Sequence, residues 1–148
     1  MIETDVNARI RIEGAKRGVM LWRNNSGAFE NEEGRWVRYG LANDSARISE
    51  LIKSSDLIGV ACGWWWGFPS VSGVFLAVEC KRSGWTYAGT GREPAQLNYL
   101  NLVRKYGGAA CFATTWEDVE DELWNYFANR CGTGRDEVAY QGKRAAAA

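Results

Sequence analysis

The sequence predicts an α/β domain in which helices flank a mixed central β-sheet. Three observations predict it. Two apolar runs, DLIGVACGW and SGVFLAVECK, stand on either side of a glycine-rich link and read as an antiparallel hairpin. The second run is followed by a helix-period segment, PAQLNYLNLVRKYG, and then by the short apolar run AACFAT, which is the order of a parallel strand-helix-strand crossover. Helical patterns also open and close the ordered part of the chain. With 148 residues, one domain can bury a core without disulfide staples.

The first segment, ETDVNARIRIEGAKRG, satisfies two periods. Val6, Ala8, Ile10 and Ile12 alternate like a strand, whereas Ile2, Val6 and Ile10 recur every four residues and Thr4 is a suitable N-cap. We read it as a helix ended by Gly18. VMLWR follows as a first strand, and NNSGAFENEEG, rich in Asn, Ser and Gly, reads as turn. RWVRYG alternates and predicts a strand with Trp36 and Val37 on opposite faces. In LANDSARISELIKSS, Asp44 or Ser45 caps a short helix carrying Ile48, Leu51 and Ile52.

After the hairpin, SGWTYAGTGREP is loop. Pro94 starts a helix whose packed face holds Leu97, Leu100 and Val103, and Gly107-Gly108 ends it. Thr115, with Asp118 three residues on, opens the last helix as a capping box does. Trp116, Val119, Leu123, Trp124 and Phe127 form its apolar stripe. Residues 1–130 are thus one predicted domain, and residues 131–148, CGTGRDEVAYQGKRAAAA, lack periodicity and predict an irregular, flexible tail.

Composition removes several mechanisms. The chain contains no histidine, which excludes a Ser-His-Asp triad, a Cys-His pair and histidine-ligated zinc. Cys62, Cys80, Cys111 and Cys131 are scattered without a CxxC pair, which argues against a four-cysteine zinc site. No signal peptide precedes them, so reduced thiols and a cytoplasmic setting are expected. No apolar stretch approaches membrane-spanning length. Net charge is zero, but WEDVEDEL holds five of the eighteen acids, so the remainder carries five positive charges in excess and can form a basic face.

The residues that carry chemistry lie between Lys53 and Arg82. Asp56 begins the first strand of the hairpin, and Glu79-Cys80-Lys81 closes the second. With period two, Glu79 and Lys81 share a face that Cys80 does not. Buried opposite charges are costly unless they serve each other or a metal. Two carboxylates brought together across a hairpin supply hard oxygens to Mg²⁺, and a lysine can orient a water. A strand-end ion pair is the plain alternative. Gln96, in the first turn of the next helix, adds a polar group at the same end.

The pattern Asp56, Glu79-x-Lys81, Gln96 resembles the PD-(D/E)xK nuclease superfamily. It is similar above all to the small stand-alone bacteriophage members of the VRR-NUC branch. The resemblance is carried by LWRNNSGAF, VRYGL, KSSDLIG, FLAVECK, PAQLNYL and YGGAACFATTWEDV, in the family's order over roughly residues 3 to 124. It implies a restriction-endonuclease-like core and Mg²⁺- or Mn²⁺-dependent DNA cleavage. Asp56, Glu79 and the Cys80 backbone carbonyl would be metal ligands, Lys81 would serve the attacking water, and Gln96 would be a site residue. An acid on the first helix would complete the site, either Glu3 or Asp5, with Asp5 preferred. The family's G-x-P-D appears here as Lys53-Ser54-Ser55-Asp56, without the proline. Branched or Holliday-junction DNA as substrate, a homodimer, and the cytoplasm of a bacterium or a phage-infected cell are further implications.

Two other stretches bear on partners. Arg23, Asn24, Asn25 and Ser26 leave the first strand in a polar turn suited to a DNA phosphate. Trp64, Trp65 and Trp66 sit in the hairpin link. Three adjacent tryptophans cannot all enter one core, so base stacking, a dimer contact and simple packing all remain open. The GTG segments at 89–91 and 132–134 lack the context of a phosphate loop, and no nucleotide cofactor is expected.

Overall fold

The computed structural model describes residues 1–129, so the sequence expectation of an irregular 131–148 tail lies outside the described residues. Among these, ten elements follow one another: α1 (Glu3–Ala15), β1 (Val19–Arg23), β2 (Gly27–Glu30), β3 (Trp36–Tyr39), α2 (Ala46–Leu51), β4 (Leu57–Ala61), β5 (Val74–Cys80), α3 (Glu93–Lys105), β6 (Ala109–Ala113) and α4 (Trp116–Asn129). The fold is mixed α/β, with a mixed sheet flanked by helices. Four strands form the main sheet in the order β1-β4-β5-β6. β4 pairs antiparallel with both β1 and β5, while β5 and β6 run parallel through the α3 crossover.

Burial explains the layering. Leu57, Leu76 and Val78 of the sheet pack with Val6 and Ile10 of α1 and with Val119, Leu123 and Phe127 of α4 on one face. On the other face Ala77, Ala110 and Phe112 meet Tyr99 and Leu100 of α3. α3 covers only the β5–β6 half of that face. Met20, Val60 and Phe75 stand side by side across β1, β4 and β5 and stay exposed. Gly59 lets β1 lie this close to β4, because a Cβ there would run into the Met20 carbonyl oxygen.

Several sequence expectations change. Gly27–Glu30, read as turn, is a strand paired with β3 in a separate two-stranded sheet, so RWVRYG forms a strand outside the main sheet. All four β3 residues are exposed, and its alternation marks no buried face. Thr4 does not cap α1; Ile2 holds that position without a side-chain hydrogen bond and is exposed. Ser45, not Asp44, caps α2, its hydroxyl accepting from the Ile48 N–H at 3.2 Å. α2 buries none of its residues, although Ile52, just past its end, packs against the α3 side of the sheet. Asp118 reaches back to the Thr114 and Thr115 N–H groups at 2.7 and 3.1 Å, as a capping acid does. Trp124, expected in the α4 stripe, is half exposed.

Candidate active site

Asp56 is placed by the turn that delivers the chain to β4. Its carbonyl accepts from the Asn24 N–H at 2.7 Å, and the Asn24 amide donates to the Ser55 carbonyl at 2.8 Å. The buried Ser55 hydroxyl donates across the turn to the Leu57 carbonyl at 2.8 Å. These bonds hold Lys53-Ser54-Ser55-Asp56 where the resembling family has a proline. The Asp56 carboxylate then spans to the neighbouring strand end, with Oδ2 accepting from the Cys80 N–H at 2.9 Å.

Period two puts Cys80 in the core and turns Glu79 and Lys81 to the opposite face, toward α3. Both are buried, at 3% and 8% exposure. Lys81 Nζ donates to Glu79 Oε1 at 3.0 Å and to Gln96 Oε1 at 2.9 Å. The Gln96 amide nitrogen donates to Glu79 Oε1, closing a three-membered network. α3 is held at the right height because the Lys53 N–H donates to the Ala95 carbonyl at 3.0 Å. Lys81 Nζ also lies 5.7 Å from the ring centres of Trp85 and Phe112, within cation-π range. Trp85 is itself fixed by donating to Glu93 Oε1 at 2.8 Å, while Glu93 Oε2 gathers the N–H groups of Ala88, Gly89 and Thr90. The first GTG segment is therefore a loop pinned to Glu93 at the start of α3.

Burial disfavours the charge of both carboxylates. Burial, and next the charge of Asp56, push the Glu79 carboxyl up to about 7, against the pull of Lys81. Asp56 is also raised, first by burial, with the Cys80 N–H and Lys81 opposing. Asp56 Oδ1 takes no hydrogen bond among the described residues. Two carboxylates in a partly dry setting, one with an oxygen unused, are side chains that could hold a hard divalent ion. Among the described residues no group of three or more Asp, Glu or Cys side chains converges. An ion here would rest on two carboxylates, with the Cys80 backbone carbonyl as the further oxygen that the sequence offers. Of the two first-helix acids, Glu3 is one whose charge acts on Asp56 and Cys80.

Asp56, Glu79 and Gln96 open onto a cavity of about 680 Å³. Asn24, Asn25 and Ser26 line it, but Arg23 does not; Arg23 acts at a distance by lowering Asp56. The cavity also takes Arg38 from β3, Lys53, and Arg92 from the start of α3. Sequence reasoning did not single these three out as site residues, because no local pattern links residues from three elements. Trp64, Trp65 and Trp66 are not at this site. Trp66 is buried at 4% exposure against Trp124 and Phe127, whereas Trp64 and Trp65 are exposed at 70% and 53%.

Comparison with models of protein families, with curated proteins and with solved structures gave no match.

Proposed function

We propose that the protein is a divalent-metal-dependent DNA endonuclease of the PD-(D/E)xK superfamily, of the VRR-NUC branch. The observation that carries the reading is that Asp56, Glu79 and Gln96 line one open cavity with Arg38, Lys53 and Arg92, while Lys81 is hydrogen-bonded to Glu79 and Gln96 behind them. Asp56 and Glu79 would hold Mg²⁺ or Mn²⁺. The bound metal supplies a polarised water and stabilises charge on the phosphate. Lys81 keeps its ammonium fixed between Glu79 and Gln96 and would serve the attacking water by donating a hydrogen bond from Nζ. Gln96 holds Glu79 Oε1 in place, and the Cys80 N–H holds Asp56.

The preferred substrate on this reading is branched DNA, including the four-way junction, cut by a homodimer whose two-fold symmetry matches the junction. The row Met20, Val60 and Phe75 gives such a dimer an apolar contact surface. The setting would be a bacterial or phage-infected cytoplasm. No helix among the described residues is long and apolar enough to cross a membrane.

The test is cleavage of labelled duplex, flap and four-way-junction DNA with Mg²⁺, Mn²⁺ or EDTA. Wild type should cut with metal only, and Glu79→Gln and Lys81→Ala should each lose at least about a hundredfold in rate. Cutting that survives EDTA or both substitutions would sink the mechanism. Binding without cutting would favour a non-catalytic nucleic-acid-binding module on the same fold.

A further inference from the structure

We infer that Arg38, Lys53 and Arg92 form a phosphate-binding wall over the site, with the β2–β3 hairpin as the arm that carries Arg38 and Asn43 as its positioning residue. The inference rests on the nuclease reading and deepens it. It assigns recognition of the nucleic-acid backbone to residues from three separate elements.

Each step has its observation. The three cations line one cavity, and none has an ion-pair partner among the described residues. Among these residues neither carboxylate of the same cavity makes an ion pair with them, and Glu79 pairs with Lys81 instead. Three like charges converging without a partner repel one another, and a polyanion entering between them removes that repulsion. Asn25, Ser26 and Tyr39 add neutral donors to the same wall.

The hairpin is built to hold its arginine. Asn43 is a buried polar residue, and its amide donates to the Gly27 carbonyl at 2.7 Å and the Tyr39 carbonyl at 2.9 Å. Its Oδ1 accepts from Arg38 Nη1 at 3.2 Å. One side chain thus ties both strands of the arm and orients the guanidinium. Gly40, at φ +93°, lets the end of β3 fold against the Asn25–Ser26 turn, where any Cβ would strike Ser26 and the Asn25 carbonyl. Contacts of this kind read phosphates and carry no base sequence.

The experiment is binding of fluorescein-labelled four-way-junction and duplex DNA in EDTA, followed by anisotropy across a salt series. Each of Arg38→Ala, Lys53→Ala and Arg92→Ala should weaken binding of every sequence alike and flatten the log-log salt slope by about one unit. Asn43→Ala should reproduce the Arg38→Ala loss, and the double variant should lose little more than either single one. Arg38 is exposed, so Arg38→Ala keeps the test valid even if Asn43→Ala fails to fold. Unchanged salt slopes in the three cation variants, or no DNA binding by wild type, would overturn the wall. Wild type that binds with these dependences yet never cuts with Mg²⁺ or Mn²⁺ would leave the wall standing and remove the nuclease reading.

Discussion

The β4–β5 hairpin has two ends made of opposite materials. At the strand ends, Glu79 and Lys81 form a buried polar network with Gln96, and Asp56 and Glu79 line a cavity. At the turn, Trp64 to Trp66 supply aromatic bulk, one ring in the core and two outside. Five residues of β4 separate the ends, on the order of 16 Å at about 3.3 Å per residue. The difference shows where each end gets its stability. The turn is held by packing, since Trp66 meets the Trp124 ring edge-on at 5.1 Å and lies near Phe127 and Phe68 in the same core. The strand ends keep two carboxylates beside a lysine, in a place where burial disfavours the charge of both carboxylates. That cost makes sense where a ligand offsets it.

The largest effect that separates the ends should come from the turn. Trp66→Ala is expected to cost about 3–5 kcal/mol in urea unfolding, as buried aromatic truncations do. Among the described residues the buried Trp66 indole N–H has no hydrogen-bond partner, so Trp66→Phe should cost much less than Trp66→Ala. Equal losses for the two variants would mean that the N–H, and not the ring contacts, is what matters there.

The second effect belongs to the strand ends and depends on pH. Glu79 titrates near 7 in the folded chain, against an ordinary value of 4.5. Between those values the folded state holds the proton more tightly than the unfolded state. The associated stability is therefore full below about 4.5 and is lost as pH rises through 7. The loss is on the order of 3 kcal/mol. In EDTA, Tm of wild type should fall across this window, whereas Glu79→Gln should be nearly flat and the more stable of the two at pH 8. Mg²⁺ or Mn²⁺ should restore wild type at pH 8, because metal binding needs both carboxylates ionised. A shared pH profile for the two proteins would remove the claim that burial and Asp56 load this carboxyl.

The two ends also differ in how far the sequence revealed them. The hairpin, the crossover and the common face of Glu79 and Lys81 follow from period and spacing, Gln96 joins them through the family resemblance, and the structure brings the three side chains into contact. The β2 strand did not show itself, because Gly27–Glu30 pairs only with the exposed β3 and buries no face that would impose alternation. Asn43 gave no signal either; its bonds tie it to both strands of the β2–β3 pair, while its segment reads locally as the approach to a helix cap. On a helix, Glu3 and Asp5 point about 200° apart, so only one can face the site. Choosing between them requires the orientation of α1, which is set by Val6, Ile10 and Gly14 rather than by Ile2. The division of labour among the tryptophans was equally hidden, since adjacent identical residues carry no mark of which one packs.

The smallest effect is expected at the exposed part of the turn, and it tests the separation of the two ends most directly. Trp64 is 70% exposed and lies beyond β4, at the end of the hairpin away from Asp56. Trp64→Ala should change stability by no more than about 0.5 kcal/mol, as surface substitutions do. A base stacked on this ring would lie on the order of 16 Å along the strand from the carboxylates, too far to share their cavity. Affinity for single-stranded and junction DNA should therefore match wild type, although a stacking tryptophan is worth about 1–3 kcal/mol per base. A drop of that size would show that DNA reaches from the strand ends to the turn. If affinity holds while light scattering shows a smaller particle, the exposed indole belongs to a contact between two copies of the chain, and the cleft at the other end keeps the nucleic acid to itself.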